Sequence, residues 1–435
     1  MIRIMDYAEL TPEEIFARTE PTVSVEGVVS EIIADVIKNG DEALVRYAAR
    51  FDGIDPDGFA LELSEKEVAD AMDALAETDP GFTDILDRAA ANIVKFHRRQ
   101  VRNSFIINDP GVVMGQKVVP LERAGLYVPG GTAAYPSTVL MDSIPALIAG
   151  CSEIIMVTPP NADGTVEPAT VAAAQAAQKA VASAGRIRIF KTGGAQAIAA
   201  LAYGTGSIPK VDKIVEPGNA YVAEAKRQVF GKVAIDMIAG PSEILAVADG
   251  KSDAAVVAAD MLSQAEHDRN ASAVLVTDSR ELAEKVQQEL ETQLAVLERR
   301  EIASASIDNN GKIIIADSID QAIEIANEIA PEHLELCVDN PFDILDKVKN
   351  AGSIFLGRSC PEALGDYFAG PNHTLPTSGT ARFSSPLSVD DFVRKMQYTY
   401  YTADALAEVA EDIAAFACKE GLTAHAKSVL IRSGK

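Results

Sequence analysis

The stretch RIRIFKTGGAQAIAALAYG at residues 186–204 decides the fold class. It begins with a short apolar run, passes through the glycine pair Gly193-Gly194, and continues as an alanine-rich segment with helical spacing. A strand, a tight turn and a helix in this order form the repeating half of a parallel α/β sheet. The glycines also allow close backbone approach to a ligand, and the amides of the first helical turn could hold a phosphate.

Short apolar runs alternate with helical patterns on both sides of this stretch. The strand-like runs are SEIIMVT at 152–158, DKIV at 212–215, SAVLVTD at 272–278, GKIIIAD at 311–317, LELCV at 334–338 and GSIFLG at 352–357. The helical patterns between them include 169–184, 220–230, 280–297 and 318–330. This alternation predicts parallel sheets covered by helices, although no repeat is visible in the sequence itself.

The first hundred residues show only helical patterns. An apolar stripe runs along VSVEGVVSEIIADVIKNG at 23–40, and Ser64 and Glu67 stand at the spacing of a capping box. A third helix is predicted at 83–100. Its His97 directly precedes two arginines, so a surface position is expected for this histidine.

The composition indicates a globular protein with an acidic surface. Of the 435 residues, 48% are hydrophobic and 24% are charged, and the formal net charge is −25. Nucleic acids and anionic membranes are recognised by basic surfaces, so neither is expected as a partner. The four cysteines are far apart, and no apolar signal segment precedes the first acidic residues. A reducing, cytoplasmic location is therefore expected.

Two further glycine turns suggest a nucleotide crevice in the same region as Gly193-Gly194. One is GLYVPGGTAAYPS at 125–137, where Tyr127 and Tyr135 are available to pack on a flat ring, and the other is VEPGNAYVAEAKRQ at 215–228. A G-x-G-x-x-G fingerprint is absent, and a single glycine turn is most often purely structural. Three such turns within an α/β alternation nevertheless favour a nucleotide site.

The segment SDAAVVAADMLSQAEHDRN at 252–270 is a candidate source of metal ligands. Gln264 and His267 stand three residues apart and therefore share one face of the predicted helix. A histidine near the end of a helix also has an ordinary structural explanation, since the helix dipole favours it there. From this segment alone both interpretations remain open.

The remaining histidines strengthen the interpretation of a metal site. His333, His373 and His425 lie beside carboxylates or in loops rich in glycine and proline, and Asp366 belongs to the same loop as His373, at 362–386. Histidine, carboxylate and glutamine side chains together suit zinc or a similar ion. The protease motif H-E-x-x-H is absent, so a zinc protease is not indicated.

The segment APEHLEL at 330–336 places Glu332 directly before His333. It lies between a predicted helix and a predicted strand, where loops often carry catalytic groups. Taken alone, it is either a solvated charge cluster or an acid–base pair. Glu335, two residues further on, is expected to support a site or the fold rather than to react itself.

Together these motifs resemble those of the histidinol dehydrogenase family. The motifs that carry the resemblance are GLYVPGG at 125–131, GGAQAIAALAYGT at 193–205, VEPGNAYVAEAKRQVFG at 215–231, IDMIAGPSE at 235–243, SQAEHD at 263–268, APEHLEL at 330–336, GDYFAGPNHTLPT at 365–377 and EGLTAH at 420–425. They follow the order of the family along nearly the whole chain.

The resemblance implies the activity and the catalytic residues. The implied reaction is the NAD-linked, four-electron oxidation of L-histidinol to L-histidine through L-histidinaldehyde, in the last steps of histidine biosynthesis. His333 would be the general base, a role that suits its ordinary pKa of ~6.5, and Glu332 would activate water.

The resemblance also implies the cofactors, the partner and the binding residues. One zinc ion per subunit would be held by Gln264, His267, Asp366 and His425, with His425 supplied by the other protomer of a homodimer. The substrate would contact these four residues and also Ser242, Glu332, His333, His373 and Glu420. NAD would contact Tyr127, Gln196 and Asn219.

The implied fold is α/β, with two parallel-sheet, Rossmann-like domains, a helical N-terminal segment and a C-terminal arm that crosses to the partner. The expected division is an N-terminal arm at 1–24, a larger discontinuous domain at 25–120 and 242–380, and a second domain at 121–241. A helical dimerisation arm would occupy 381–435.

Three rival interpretations stay open. A paralogue could oxidise a different small alcohol with the same zinc ligands and the same Glu-His pair. A zinc hydrolase or a non-catalytic metal-binding protein is a rival of another class, but neither would need the three glycine turns. Within a dehydrogenase, Cys360 could form a thiohemiacetal with the aldehyde, although no matched motif places a cysteine at the site.

Overall fold

The computed structural model describes residues 2–11, 14–15, 25–130, 135–182, 185–215 and 218–433. These residues form two parallel sheets covered by helices, together with one small antiparallel sheet. The α/β class expected from the sequence is therefore confirmed. None of the helices in the described ranges is both long enough and apolar enough to cross a membrane.

The first parallel sheet has five strands in the order β6-β5-β4-β7-β8. Its strands are β4 (Arg123–Tyr127), β5 (Glu153–Thr158), β6 (Arg186–Lys191), β7 (Lys213–Val215) and β8 (Ala234–Ile235). β5 is buried along almost its whole length, with Ile154 and Met156 on one face of the sheet and Ile155 and Val157 on the other. A strand buried on both faces must be covered by helices on both sides.

Helices cover both faces of this five-stranded sheet. One face is covered by α3 (Glu65–Thr78), α4 (Phe82–His97), α5 (Pro136–Ala149) and α6 (Pro168–Val181). The other is covered by α1 (Glu26–Asn39), α2 (Asp41–Phe51), α7 (Gly194–Tyr203) and α8 (Ala220–Val229). The helices between residues 26 and 97 thus pack on this sheet.

The second parallel sheet has six strands in the order β1-β11-β10-β9-β12-β13. Its strands are β1 (Arg3–Asp6), β9 (Glu243–Ala248), β10 (Ser272–Thr277), β11 (Lys312–Ile315), β12 (His333–Cys337) and β13 (Ser353–Leu356). On its faces pack α9 (Ala254–Ala265), α10 (Arg280–Leu294), α11 (Arg300–Asn310) and α12 (Ile319–Ile329). Of the proposed N-terminal arm, residues 2–11 and 14–15 are described, and they include the edge strand β1.

Both parallel sheets are wound in the same order. Apart from the edge strand β1, the first strand of each sheet (β4 or β9) is central, two strands follow on one side, and the chain then returns to the other side of that strand. The reversal falls between β4 and β7 in one sheet and between β9 and β12 in the other. Ligands of open α/β sheets bind at such switch points, outside the carboxyl ends of the strands.

The antiparallel sheet was not expected from the sequence. It consists of β2 (Phe105–Asp109), β3 (Val112–Pro120) and β14 (Val393–Tyr401), with β3 in the middle. β14 lies within residues 381–435, which were predicted to be a helical arm. Two helices follow it, α14 (Ala403–Lys419) and α15 (Thr423–Leu430), so the helical prediction is confirmed only for the last part of this segment.

The N-terminal helices show one success and one error of the sequence analysis. The capping box at Ser64 and Glu67 is present at the start of α3. His97, however, is completely buried, and its Nδ1 atom lies 2.7 Å from Oε1 of Gln100. His97 continues the buried stripe of Ile93 and Val94, so its helical position outweighs the two arginines that follow it.

Candidate active site

The Glu-His pair lies at the amino edge of the six-stranded sheet, where β12 and β9 run side by side. Glu332 directly precedes β12 and His333 begins it, and both side chains are buried, with only 7% and 3% of their surface exposed. His333 is in register with Ile244 of β9. The interpretation as a solvated charge cluster is therefore wrong, because two buried titratable groups stand side by side.

Hydrogen bonds to Glu243 hold both members of the pair. Nδ1 of His333 lies 3.0 Å from the carbonyl oxygen of Glu243, and the Glu243 amide donates to Oε2 of Glu332 at 2.8 Å. Since the carbonyl can only accept, Nδ1 carries the proton in the neutral ring. Nε2 is then the basic nitrogen, and it is buried without a hydrogen-bond partner among the described residues.

Asp366 and His373 face this basic nitrogen. Asp366 lies near the end of the short helix α13 (Glu362–Tyr367), and its Oδ1 is 3.7 Å from Nε2 of His333 and 3.9 Å from Nδ1 of His373. Both distances exceed that of a hydrogen bond, which leaves room for a ligand between the groups. Burial would raise the pKa of Asp366, but His333 and His373 lower it to about 2, so the group is a carboxylate.

The buried charges also shift the pKa values of the pair itself. Burial raises the pKa of Glu332 to about 8, and the charge of His333 opposes this shift. Burial acts to lower the pKa of His333, but the carboxylates of Glu332 and Asp366 outweigh it and raise the value to about 10. A divalent cation on Asp366 would neutralise one of these carboxylates and return His333 toward the range of a working base.

Glu362 belongs to the same cluster and was missed by the sequence analysis. Its carboxylate, that of Asp366 and the His333 ring offer ligand atoms within 4.8 Å of one another. Oε2 of Glu362 accepts a hydrogen bond from the Ser263 hydroxyl at 2.6 Å. The signal was available, because Glu362 and Asp366 are four residues apart and so share one face of a helix.

Gln264 and His267 extend the site from the neighbouring helix α9. The oxygen and nitrogen of the Gln264 side-chain amide are both buried, and neither has a hydrogen-bond partner in the described part of the chain. A buried amide without partners is costly, so such a group usually serves a ligand. His267 lies just beyond the end of α9, where the surrounding protein lowers the pKa of the imidazole by desolvation and the charge of Asp366 opposes this shift.

The expected substrate residues fall into two groups. Ser242 directly precedes Glu243, and its carbonyl accepts from the Ser272 amide. Glu420 and His425 are exposed on the C-terminal helices, and within the described residues their side chains make no hydrogen bond or ion pair. A single chain thus brings Ser242 to the edge of the site and leaves Glu420 and His425 apart from it.

The expected NAD residues lie around the switch point of the five-stranded sheet. Tyr127 ends β4, and its hydroxyl accepts from the Gly194 amide at 3.1 Å. Gln196 is buried in the first turn of α7, and the Asn219 side chain caps α8 just after β7. All three lie at the carboxyl ends of strands. Residues 131–134 and Pro217 of the glycine turns fall outside the described residues.

The loop after α13 joins the two parallel-sheet units. The segment after α13 packs on the first unit, where Nδ2 of Asn92 donates to the Phe368 carbonyl at 2.8 Å. The Thr374 hydroxyl donates to Oδ1 of the buried Asp142 at 2.7 Å. Two parallel sheets covered by helices, with a buried Glu-His pair beside a cluster able to hold a metal, define the class: an α/β enzyme.

Comparisons with known proteins identify the family within this class. The sequence model of histidinol dehydrogenase matches residues 17–433. The chain is 51% identical to the histidinol dehydrogenase of Geobacter sulfurreducens over 96% of both chains, and 50% identical to that of Clostridium acetobutylicum over 99% of both. The crystal structure of histidinol dehydrogenase from Elizabethkingia anophelis superposes with a TM-score of 0.90, at 36% identity, over 99% of this chain and 97% of that one.

The chain belongs to the histidinol dehydrogenase family. It is an oxidoreductase of histidine biosynthesis that oxidises histidinol. The resemblance found in the sequence is thereby confirmed.

Proposed function

We propose that this enzyme carries out the zinc-dependent, NAD-linked, four-electron oxidation of L-histidinol to L-histidine through L-histidinaldehyde. The observation that carries the proposal is the buried His333, whose Nε2 has no protein partner in the described chain and faces a carboxylate cluster. Overall, histidinol, water and two NAD⁺ give histidine, two NADH and three protons. The chain must therefore supply a base and a means of activating water.

The donor set fits a zinc ion. Gln264 offers an unpartnered buried amide oxygen, Asp366 a carboxylate and His267 an imidazole, and zinc accepts such nitrogen and oxygen ligands. His425 of a second copy of the chain would complete the set. When bound, zinc would orient the amine and imidazole nitrogens of the substrate, and NAD⁺ would accept a hydride in each oxidation.

His333 and Glu332 divide the proton chemistry between them. His333 is proposed to take the hydroxyl proton through Nε2, because Nδ1 is fixed on the Glu243 carbonyl. Glu332 is proposed to take a proton from water as the water adds to the aldehyde carbon, and His333 then acts again on the hydrate. The raised pKa of Glu332 suits a carboxylate that must accept and release a proton near neutral pH.

The remaining binding roles follow from location. Ser242, His373 and, from a second copy, Glu420 are proposed to contact the substrate together with the zinc ligands. Tyr127, Gln196 and Asn219 are proposed to contact NAD, and their position at a switch point of a parallel sheet supports this. Asn219 caps α8 by accepting from the amides of Tyr221 and Val222, so the positive end of this helix dipole lies beside Asn219, where it would favour an anionic cofactor.

A homodimer with shared sites is part of the proposal. The hydrophobic cluster of the two C-terminal helices contains only their own residues, and it is built from Ala414, Ala417 and Ala426 with Leu430. The larger apolar side chains Phe416 and Ile431 are 71% and 66% exposed. Apolar surface of this kind on paired helices is typical of a subunit interface. A second copy could also bring His425 to the site.

The decisive experiment measures NADH formation from L-histidinol before and after metal removal. Chelation is expected to abolish turnover, and added zinc is expected to restore it with two NADH per histidinol. Other small alcohols serve as controls and are expected to give no turnover. Full activity in the thoroughly metal-free enzyme would contradict the zinc proposal, and one NADH per histidinol would contradict the four-electron reaction.

A further inference from the structure

Glu335 lies at the centre of the site without an assigned role. It stands two residues after His333 on β12, so both side chains project from the same face of the sheet. It is 1% exposed, which is unusual for a glutamate. A buried carboxyl group of this kind must be hydrogen-bonded, and its partners therefore show what it holds.

Two partners of Glu335 belong to the two helices that carry proposed zinc ligands. Oε1 accepts a hydrogen bond from the backbone amide of Glu362 at 2.8 Å, in the first residue of α13. The carboxyl group also interacts with the side chain of Asp260 in α9, and its Oε2 lies 3.9 Å from the Cys337 thiol on the same strand. One turn further along α13 lies Asp366, and one turn further along α9 lies Gln264.

The start of α13 has no cap of its own. Pro361 occupies the N-cap position and provides no side-chain hydrogen bond to the helix. Glu335 therefore supplies from a neighbouring strand the acceptor that a serine or aspartate normally supplies within the helix. Further along, Gly365 lies so close to the Phe355 ring that an added Cβ would be 2.6 Å from it. Phe355 in turn stacks on the His333 ring.

We propose that Glu335 is a positioning residue, which sets the distance between Asp366, Gln264 and His333 by joining α13 and α9 to β12. The inference rests on the zinc site proposed above and adds to it. Glu335 touches neither metal nor substrate in this scheme. Its effect is on the geometry of the zinc ligands, and second contacts of this kind typically change metal affinity by ~10–100-fold.

The test compares four variants by the zinc affinity of the metal-free protein, measured in competition with a chromogenic chelator. Glu335→Met keeps the volume but removes the acceptor, and it is expected to weaken zinc binding by ~10–100-fold. Glu335→Gln keeps an acceptor for the Glu362 amide and a donor for Asp260, so it is expected to bind zinc as the wild type does. Glu335→Asp shortens the side chain by one methylene and so moves the carboxyl group away from the Glu362 amide. It tests the same hydrogen bond if the Glu335→Met variant does not fold.

Leu336→Ala is the matched control. Leu336 follows Glu335 on the same strand, points to the opposite face and is fully buried, so its truncation lowers the melting temperature without touching α13. Its zinc affinity is expected to match the wild type. Equal losses of affinity in Leu336→Ala and Glu335→Met would overturn the inference, because general loosening would then explain both.

Hydrogen exchange of the peptide 361–368 gives a readout that does not depend on metal. In the metal-free protein, exchange at this segment is expected to be faster in Glu335→Met than in the wild type and unchanged in Glu335→Gln. If a folded Glu335→Met or Glu335→Asp variant bound zinc within twofold of the wild-type affinity, the positioning role of Glu335 would be overturned. The proposed function would not be affected by that result. Absence of zinc binding in the wild type would instead overturn the proposed function.

Discussion

Glu332 and His333 are neighbours in the chain, but their proposed roles differ, since His333 would act in both oxidations and Glu332 only in the second. His333 has one nitrogen fixed and one free among the described groups, as a shuttling base requires. Oxidation of the alcohol needs only this base, whereas oxidation of the aldehyde also needs water. Substitutions of the two side chains should therefore block different steps of the reaction.

Glu332→Gln is expected to stop the reaction after the first oxidation. The variant should form close to one NADH per histidinol in a single turnover, while His333→Gln should form almost none. Steady-state rates should fall by ~10²–10⁴-fold in both, the usual contribution of general acid–base catalysis. Rapid-mixing absorbance at the NADH band measures the stoichiometry. Two NADH per histidinol from Glu332→Gln at an unchanged rate would rule out its role in water activation.

Cys360 provides a chemical control for the same assignment. No described hydrogen bond or ion pair of the cluster involves its thiol. Cys360→Ala is expected to keep most of the activity, since the proposed reaction oxidises the aldehyde as its hydrate rather than through a thiohemiacetal. A large loss in this variant, together with retained activity in His333→Ala, would reverse the assignment of nucleophile and base.

Burial of His97 makes a separate prediction about stability. Burial lowers the pKa of His97 below its ordinary 6.5, so the unfolded chain binds the proton more tightly than the folded one. The stability contributed by the neutral ring is present above pH 6.5 and is lost as the pH falls toward the lowered value. The free energy of unfolding should fall by up to about 1.4 kcal/mol per pH unit in that window.

The measurement for His97 is urea unfolding of the metal-free protein between pH 7.5 and 5. His97→Gln keeps a donor for Gln100 and removes the titrating group, so the difference between the wild type and the variant should depend on pH in the window below 6.5. The same pH dependence in both proteins would show that His97 does not titrate on unfolding.

Residue roles were predictable from the sequence where neighbouring residues define them. The pair Glu332-His333 and the spacing of Gln264 and His267 are visible in the chain. For Glu335 the sequence predicted only support of a site or of the fold, and its partner could not be predicted, because the contact with Glu362 joins a strand to a distant helix. His97 was misjudged because its two arginine neighbours received more weight than the apolar stripe it continues.

At the scale of elements, helix α5 is hydrogen-bonded to the loop that carries His373. Oδ1 of the fully buried Asp142 accepts from the Thr374 hydroxyl, and the Asn372 side chain donates to the Met141 carbonyl at 2.6 Å. Asn372 Oδ1 also accepts from the Thr374 amide. These bonds tie the loop of the second unit to a helix of the first, on either side of a proposed substrate contact.

Asp142→Ala is expected to misplace this loop. It leaves the buried Thr374 hydroxyl without its acceptor, at a cost of ~1–3 kcal/mol, and the loop should relax. The KM for histidinol should rise by ~2- to 13-fold if half of that cost reaches the substrate contact. Asp142→Asn keeps Oδ1 and is the matched control. The KM is measured by steady-state kinetics at saturating NAD⁺. An unchanged KM in a folded Asp142→Ala variant would show that α5 does not influence substrate binding.

Elements stabilised by local contacts were predicted well, and those that depend on distant pairing were not. The strands and helices of the parallel units follow from periodicity and turns. β14 pairs with β3, almost 280 residues earlier in the chain, from Tyr401 with Val112 to Val393 with Pro120. The sequence VRKMQYTYY does not indicate such a partner. The helical patterns that follow it led to the prediction of a helical arm for the whole segment.

At the scale of the whole molecule, the position of His425 predicts a site shared between subunits. Mixed dimers of His333→Ala and His425→Ala contain one site in which both residues are intact, if His425 acts on the partner. Random mixing of two inactive variants should then restore about a quarter of the wild-type activity in a twofold dimer. Co-expression with two affinity tags and an NADH assay gives the measurement. No recovery in purified mixed dimers would mean that His425 acts within its own chain.

The edge strand β1 has a consequence for how the protein is made. Ile4 pairs with Ile313, so β1 leaves the ribosome long before its partner strand β11 exists. At ~5–20 residues per second, roughly 15–60 s separate the two during synthesis, and the five-stranded unit between them is complete before β11 emerges. The edge strand therefore has no strand partner during this interval, and the six-stranded sheet can close at this edge only after β11 has emerged.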